Sequence, residues 1–305
     1  MTSLRTSGVA GATTFGTAGV ASAGGVAPPT PVRPGRRGSG AWRFAVLIVL
    51  GLYFVVPIAA SVLFTVRRGG GGVTAEFYTG IPSAPGFAEA FTRSLILAVL
   101  TVVLVLVLMV PTVVLVELRL PRLRTTVELL TLLPLVLPPI ALVVGVRSVL
   151  SWAPDYFLNT PLARAFFALQ RPSLPWILVL VYVVLAMPFV YRALDAGMRG
   201  ADLSTLTEAG RSLGASWPRV LVSVVLPVLR TSVLNASFLT FALVLGEFTI
   251  ASILGFETFP TWILKISGSQ PQLSVAVSVL ALMVTWALLL LISALDRRRG
   301  AKESS

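Results

Sequence analysis

A chain of 305 residues that is 56% hydrophobic and 12% charged, with a mean hydropathy of +0.91, is far from a soluble domain, where about a quarter of residues carry charge. It reads as an integral membrane protein. The absence of cysteine and histidine excludes a disulfide framework, a thiolate nucleophile, the usual metal ligands and an imidazole base.

In chain order, the first 41 residues are rich in Gly, Ala, Ser, Thr and Pro. They cannot bury enough apolar surface to fold, so a disordered tail is predicted over 1–43. The first apolar run, Phe44 to Val66, has 23 residues and no small-residue cleavage site before Arg67, so it is expected to be a span and not a cleaved signal peptide. An outer loop with a flexible "GGGG" at 69–72 completes a segment over 44–90. Five further stretches approach the ~20 apolar residues that cross a ~30 Å hydrocarbon core. They are Ser94 to Val116, Val127 to Val146, Pro172 to Tyr191, Thr231 to Leu254 and Ile266 to Leu295. Pro134, Pro138 and Pro139 interrupt the third span, where neighbours must satisfy the freed carbonyls. The expected fold is therefore all-α with six transmembrane helices.

Orientation follows from Lys and Arg in alternate loops. With the N-terminus inside, cytoplasmic segments carry 17 and outer segments 7 of the 24 basic residues. Both termini, including a short tail over 296–305, and the segment around Glu208 are then expected in the cytoplasm. This bias accounts for the net charge of +12 without nucleic acid, and Arg297 to Arg299 read as an anchor facing anionic lipid.

No G-x-x-x-x-G-K-[ST] loop is present, and no triad can form without His or Cys. No catalytic role, cofactor or metal is expected. Glu247, in "LVLGEFTIAS", stands about 16 residues into the fifth span, about 24 Å from its cytoplasmic start. A carboxylate at that depth must face protein or water. Two readings stay open: a place on a translocation path or gate, or a bond to a neighbouring helix or to the outer interface.

Between the fourth and fifth spans lies "EAGRSLGASWPRVLVSVVLP", Glu208 to Pro227. Thr205 and Glu208 fit a capping box at a helix start. Leu206, Gly210 and Leu213 share a predicted face, and Gly214 is placed to end the helix left-handed. Ser216 can cap a second helix with Pro218 in its first turn. Helix, turn, helix is the expectation over 202–227, with small residues at Ala209 and Gly210 permitting close approach.

At these residues the chain resembles the permease subunits of binding-protein-dependent ABC importers, of MetI-like type. Their loop pattern is E-A-A, three residues, G, nine residues, I-x-L-P. Glu208, Ala209, Gly214, Leu226 and Pro227 match it position for position, with Val224 for Ile and Gly210 for the second Ala. The similarity runs over roughly 91–295. It implies that Glu208, Ala209, Gly210, Leu213, Gly214, Leu226 and Pro227 belong to a coupling loop docking on a separate cytoplasmic ATPase. It also implies a second permease subunit, an extracytoplasmic binding protein and alternating access in a bacterial inner membrane. The features after the loop look like the branch that includes polyamine, ferric iron, phosphonate, sulfate and molybdate permeases. A carboxylate such as Glu247 suits a polyamine by Coulomb attraction, with the oxyanion, phosphonate and iron systems as alternatives. An ion-coupled carrier would need inverted repeats and several midplane carboxylates, which the sequence does not display.

Overall fold

The structure is a computed structural model. It describes residues 40–67, 72–201 and 203–303, with side chains described for 42–67, 72–152, 154–201 and 203–287. The chain divides into two units, Met1–Tyr53 and Phe54–Ser305. Of the first, only the opening half of one helix is described. The predicted tail over 1–43 and residues 69–71 of the glycine run lie outside the described residues, apart from 40–43, which open that helix.

The helices in order are α1 (Gly40–Val66), α2 (Glu76–Thr79), α3 (Phe87–Arg119), α4 (Arg124–Val136), α5 (Pro139–Tyr156), α6 (Pro161–Leu169) and α7 (Trp176–Arg199). They continue with α8 (Leu203–Ser212), α9 (Trp217–Val220), α10 (Leu226–Val228), α11 (Arg230–Leu245), α12 (Thr249–Leu254), α13 (Phe259–Ser267) and α14 (Pro271–Glu303). This is an all-α membrane protein.

Among the described residues, three helices are long and apolar enough to cross a membrane: Trp42–Val66, Phe87–Arg119 and Trp176–Arg199. Two bent pairs bring the number to five if each is one span. The expected third span is divided, because α4 stops at Val136 and α5 restarts at Pro139. Proline at 138 and 139 removes two successive amide donors, and each restricts the residue before it. The expected fifth span is divided as well, between α11 and α12 at Gly246 to Phe248. The sixth falls on α14, whose apolar part is described only as far as Ala287. The six-span count is thus not reached among the described residues.

The centre of the larger unit is the mutual packing of α3, α7 and α11. Lipid tails are as apolar as leucine, so such packing rests on close fit more than on removal from water. Val105, Met109, Val113 and Val114 of α3 meet Val190, Leu194 and Met198 of α7 and Ala236 of α11 in one buried cluster. Leu203, Val220, Val225 and Leu229 belong to the same cluster, so the segment joining α7 to α11 is rooted in the helix core. A second cluster joins Leu97 and Ala98 of α3, Leu178 and Tyr182 of α7, Val244 of α11 and Ile250 and Ala251 of α12. At the start of α3, Trp262 of α13 donates its indole N–H to the Pro85 carbonyl at 3.0 Å. The ring covers Gly86, whose φ of 80° suits glycine.

The tightest crossing is at Gly197 of α7. A methyl group there would lie 2.8 Å from Ser232 Cβ and 3.3 Å from Leu229 Cδ2, and closer still to Ser232 Oγ. Gly197→Ala is expected to part α7 from α11 and to destabilise the protein by about 1–3 kcal/mol. Thermal unfolding in detergent, compared with Gly145→Ala, where the added methyl meets nothing within 4 Å, measures the difference.

Candidate functional site

The segment from Leu203 to Val228 forms the expected helical hairpin, with altered details. Residue 202 lies outside the described residues. α8 begins at Leu203, so Thr205 and Glu208 sit inside the helix and do not form the capping box at its start. The face predicted to carry Leu206, Gly210 and Leu213 turns only its glycine inward. Leu203 and Thr207 are buried and Gly210 is half-buried, whereas Leu206 is 42% and Leu213 88% exposed. The hairpin closes through Leu203, Thr207 and Gly210 of α8 against the stretch that follows the turn, leaving Leu206 and Leu213 outward. Ser216 has the extended backbone of an N-cap, with Pro218 in the first turn, but its side chain makes no cap bond.

The turn is determined by Gly214, at φ 83°. Ala215 N–H reaches back to the Gly210 carbonyl at 3.2 Å, and Gly214 N–H to the Arg211 carbonyl at 2.9 Å. This pair of bonds is the Schellman arrangement, which satisfies carbonyls left open at the end of α8. Past the turn, α9 gives way to a π-helical stretch, Leu221–Val225, before Pro227, which supplies no N–H to the ladder. The chain then bends by 81° into α11. Gly210 faces this stretch: a Cβ added to it would meet Val220 Cγ2 at 3.5 Å and Val224 Cγ2 at 3.7 Å. The structure thus brings Gly210 against Val224, leaves Glu208, Ala209, Leu213, Gly214 and Pro227 exposed, and half-buries Leu226.

Two features beside the hairpin escaped the sequence reading. The Arg119 guanidinium, at the end of α3, lies 4.6 Å from the centroid of the Trp217 ring, and that of Arg211, in the last turn of α8, lies 5.6 Å from it. Nearby, Arg124 at the start of α4 donates to Glu117 of α3 at 3.0 Å and to Asp195 of α7 at 2.7 Å. Arg199 pairs with the other Asp195 oxygen at 2.8 Å. The separation of 71 residues between Arg124 and Asp195 leaves no local signature.

Glu247 stands in the break between α11 and α12. Its Oε1 accepts the Ile250 amide at 2.7 Å, and its Oε2 accepts the Ala251 amide at 3.2 Å and the Tyr182 hydroxyl at 2.9 Å. The carboxylate therefore satisfies two of the free amides opening α12 and ties them to α7. Tyr182, 1% exposed, is a second residue that sequence reading missed. Its one visible signal is a phenol within an otherwise apolar run. Among the described residues, no group of three or more acidic side chains is placed to hold a metal ion.

Fold and hairpin together define a multi-span helical membrane protein carrying a helix–turn–helix segment before a broken span. No family model matches the sequence. Curated relatives do match. One is a probable ABC transporter permease protein, y4fN, of Sinorhizobium fredii, 32% identical over 147 residues, 46% of this chain and 26% of the relative. Another is the spermidine/putrescine transport system permease protein PotC of Haemophilus influenzae, 24% identical over 161 residues, 51% of this chain and 62% of the relative. A third is a probable molybdenum ABC transporter permease protein of Haloferax volcanii, 27% identical over 252 residues, 80% of this chain and 87% of the relative. The chain spans less than two thirds of the first two relatives and most of the third. It is a homologue of ABC-transporter permease proteins, in agreement with the resemblance carried by Glu208 to Pro227.

Two substitutions test the geometry. Gly210→Ala, whose methyl falls at ordinary contact distance, is expected to stabilise α8 by about 0.5–1 kcal/mol, read as a higher thermal midpoint. Glu247→Ala leaves amides and a phenol without their acceptor and is expected to cost about 1–3 kcal/mol, with Tyr182→Phe costing less.

Proposed function

We propose that this chain is the transmembrane permease subunit of an ATP-driven importer. It forms half of a translocation path beside a second copy or a related permease. Residues 91–295 make up its transport domain and 202–227 its coupling loop. ATP is hydrolysed by a separate cytoplasmic subunit, and substrate is delivered by an extracytoplasmic binding protein. Both termini and the hairpin face the cytoplasm, as the 17 to 7 division of basic residues favours.

The observation that carries this reading is the hairpin itself. It presents Glu208, Ala209 and the 88% exposed Leu213 outward, while Leu203, Val220 and Val225 root it among α3, α7 and α11. An exposed leucine outside the lipid suits a protein groove, and a rooted base suits transmission of movement. Closure of paired ATPase subunits would draw two such hairpins together and rock the helices bearing them, opening the path outward.

For substrate, the cation argument rests on Glu247, and both of its oxygens are engaged by hydrogen-bond donors. A carboxylate used in this way has less to offer a polyamine. We therefore favour a molybdate-type oxyanion, supported by the coverage of the Haloferax volcanii relative, with a polyamine as the second reading, favoured by the likeness to PotC.

Mild-detergent purification is expected to recover a P-loop ATPase with the full chain. Glu208→Lys is expected to reduce that recovery by roughly tenfold, the effect of about 1.4 kcal/mol, without altering membrane insertion. Retention of ATPase and uptake at wild-type levels in that variant would count against docking. Uptake of labelled molybdate and spermidine by the reconstituted complex with its binding protein decides between the substrate classes.

A further inference from the structure

We infer that Trp217 is a joint tying the far end of the coupling hairpin to α3 through the face of its indole ring, so that movement of α8 is passed to the membrane helices at Arg119. This rests on the coupling role proposed above and adds the residue through which the coupling acts.

The argument starts from the shape of the hairpin. α8 has ten residues, too few to be stable on its own, and most of its buried contacts lie toward its start, at Leu203 and Thr207. Its end is followed by the exposed residues Leu213 and Gly214. A push delivered there would bend the helix end unless something held it. Arg211, in the last turn of α8, lies near the Trp217 ring.

Arg119 reaches the same ring from α3, closer than Arg211. Two guanidiniums repel each other, and an aromatic face attracts both when they lie within about 6 Å of it. The indole thus links two side chains whose charges alone would not hold them together. Its own N–H is buried without a hydrogen-bond partner among the described residues, whereas buried tryptophans usually find one. Among the described residues no hydrogen bond fixes the ring, so the guanidiniums near its face carry the attachment.

Beyond Arg119 the path continues through contacts already described. Glu117, two residues earlier in α3, pairs with Arg124, and Arg124 with Asp195 of α7. A displacement of the α3 end is therefore shared with α4 and with α7, one of the three central helices.

The chain has no cysteine, so Leu213→Cys provides a single site for a spin label on the full-length protein in lipid. Trp217→Ala and Arg119→Gln are each expected to raise the mobile fraction of the label at least about twofold, given the strength of an exposed or partly desolvated cation–π contact. Arg119→Lys, which keeps the charge, is expected to stay near the parent value. Packing alone would not separate Gln from Lys in this way. In the assembled transporter, Trp217→Ala and Arg119→Gln are expected to lower substrate moved per ATP several-fold while the ATPase remains bound. Unchanged label mobility in Arg119→Gln, or equal effects of Gln and Lys, would overturn the joint. Failure of the parent chain to bind any ATPase would instead defeat the importer reading, and the label measurement would still decide whether the joint exists.

Discussion

Lipid offers no hydrogen bonds, so wherever a helix breaks in the apolar zone, its freed amides and carbonyls need partners within the protein. This constraint organises much of the chain. The division between α11 and α12 frees amides at Ile250 and Ala251, and one side chain, Glu247, receives both. Tyr182 supplies the third donor from α7, so the break becomes a point of attachment between spans. The cost of taking a carboxyl group partly out of water is offset by its three hydrogen bonds.

A different solution operates where the chain leaves the core between α7 and α11. There the Schellman turn at Gly214 and the π stretch before Pro227 let the backbone reverse and re-enter without a long loop. Because the hairpin shares its buried residues with the three central helices, it is an extension of the bundle. An outward leucine on such a base is well suited to a partner, since little further ordering is needed when one docks.

The sequence reading succeeded where the signal was local. Apolar runs located the long helices, and Gly214 marked the turn. It went astray where tertiary packing chose among local options. The helix starts at Leu203 and not at Thr205, and of the predicted face of Leu206, Gly210 and Leu213 only the glycine is half-buried, beside Val220 and Val224. The prolines at 138 and 139 warned of an interruption in the third span, whereas nothing in "LVLGEFTIAS" announced one in the fifth. Pairings such as Tyr182 with Glu247, 65 residues apart, or Arg119 with Trp217 depend on helix placement that no short window contains.

Gly210 and Gly214 stand four residues apart in one short stretch and differ in the change each can accept. The space beside Gly210 accommodates a methyl at 3.5 Å from Val220, so glycine and alanine can exchange there without disturbing the hairpin's shape. Gly214, at φ 83°, holds a backbone shape that a side chain strains, so replacement there reshapes the turn. Distant versions of this hairpin should therefore be sought by the position of the second glycine, with the small residue before it free to vary.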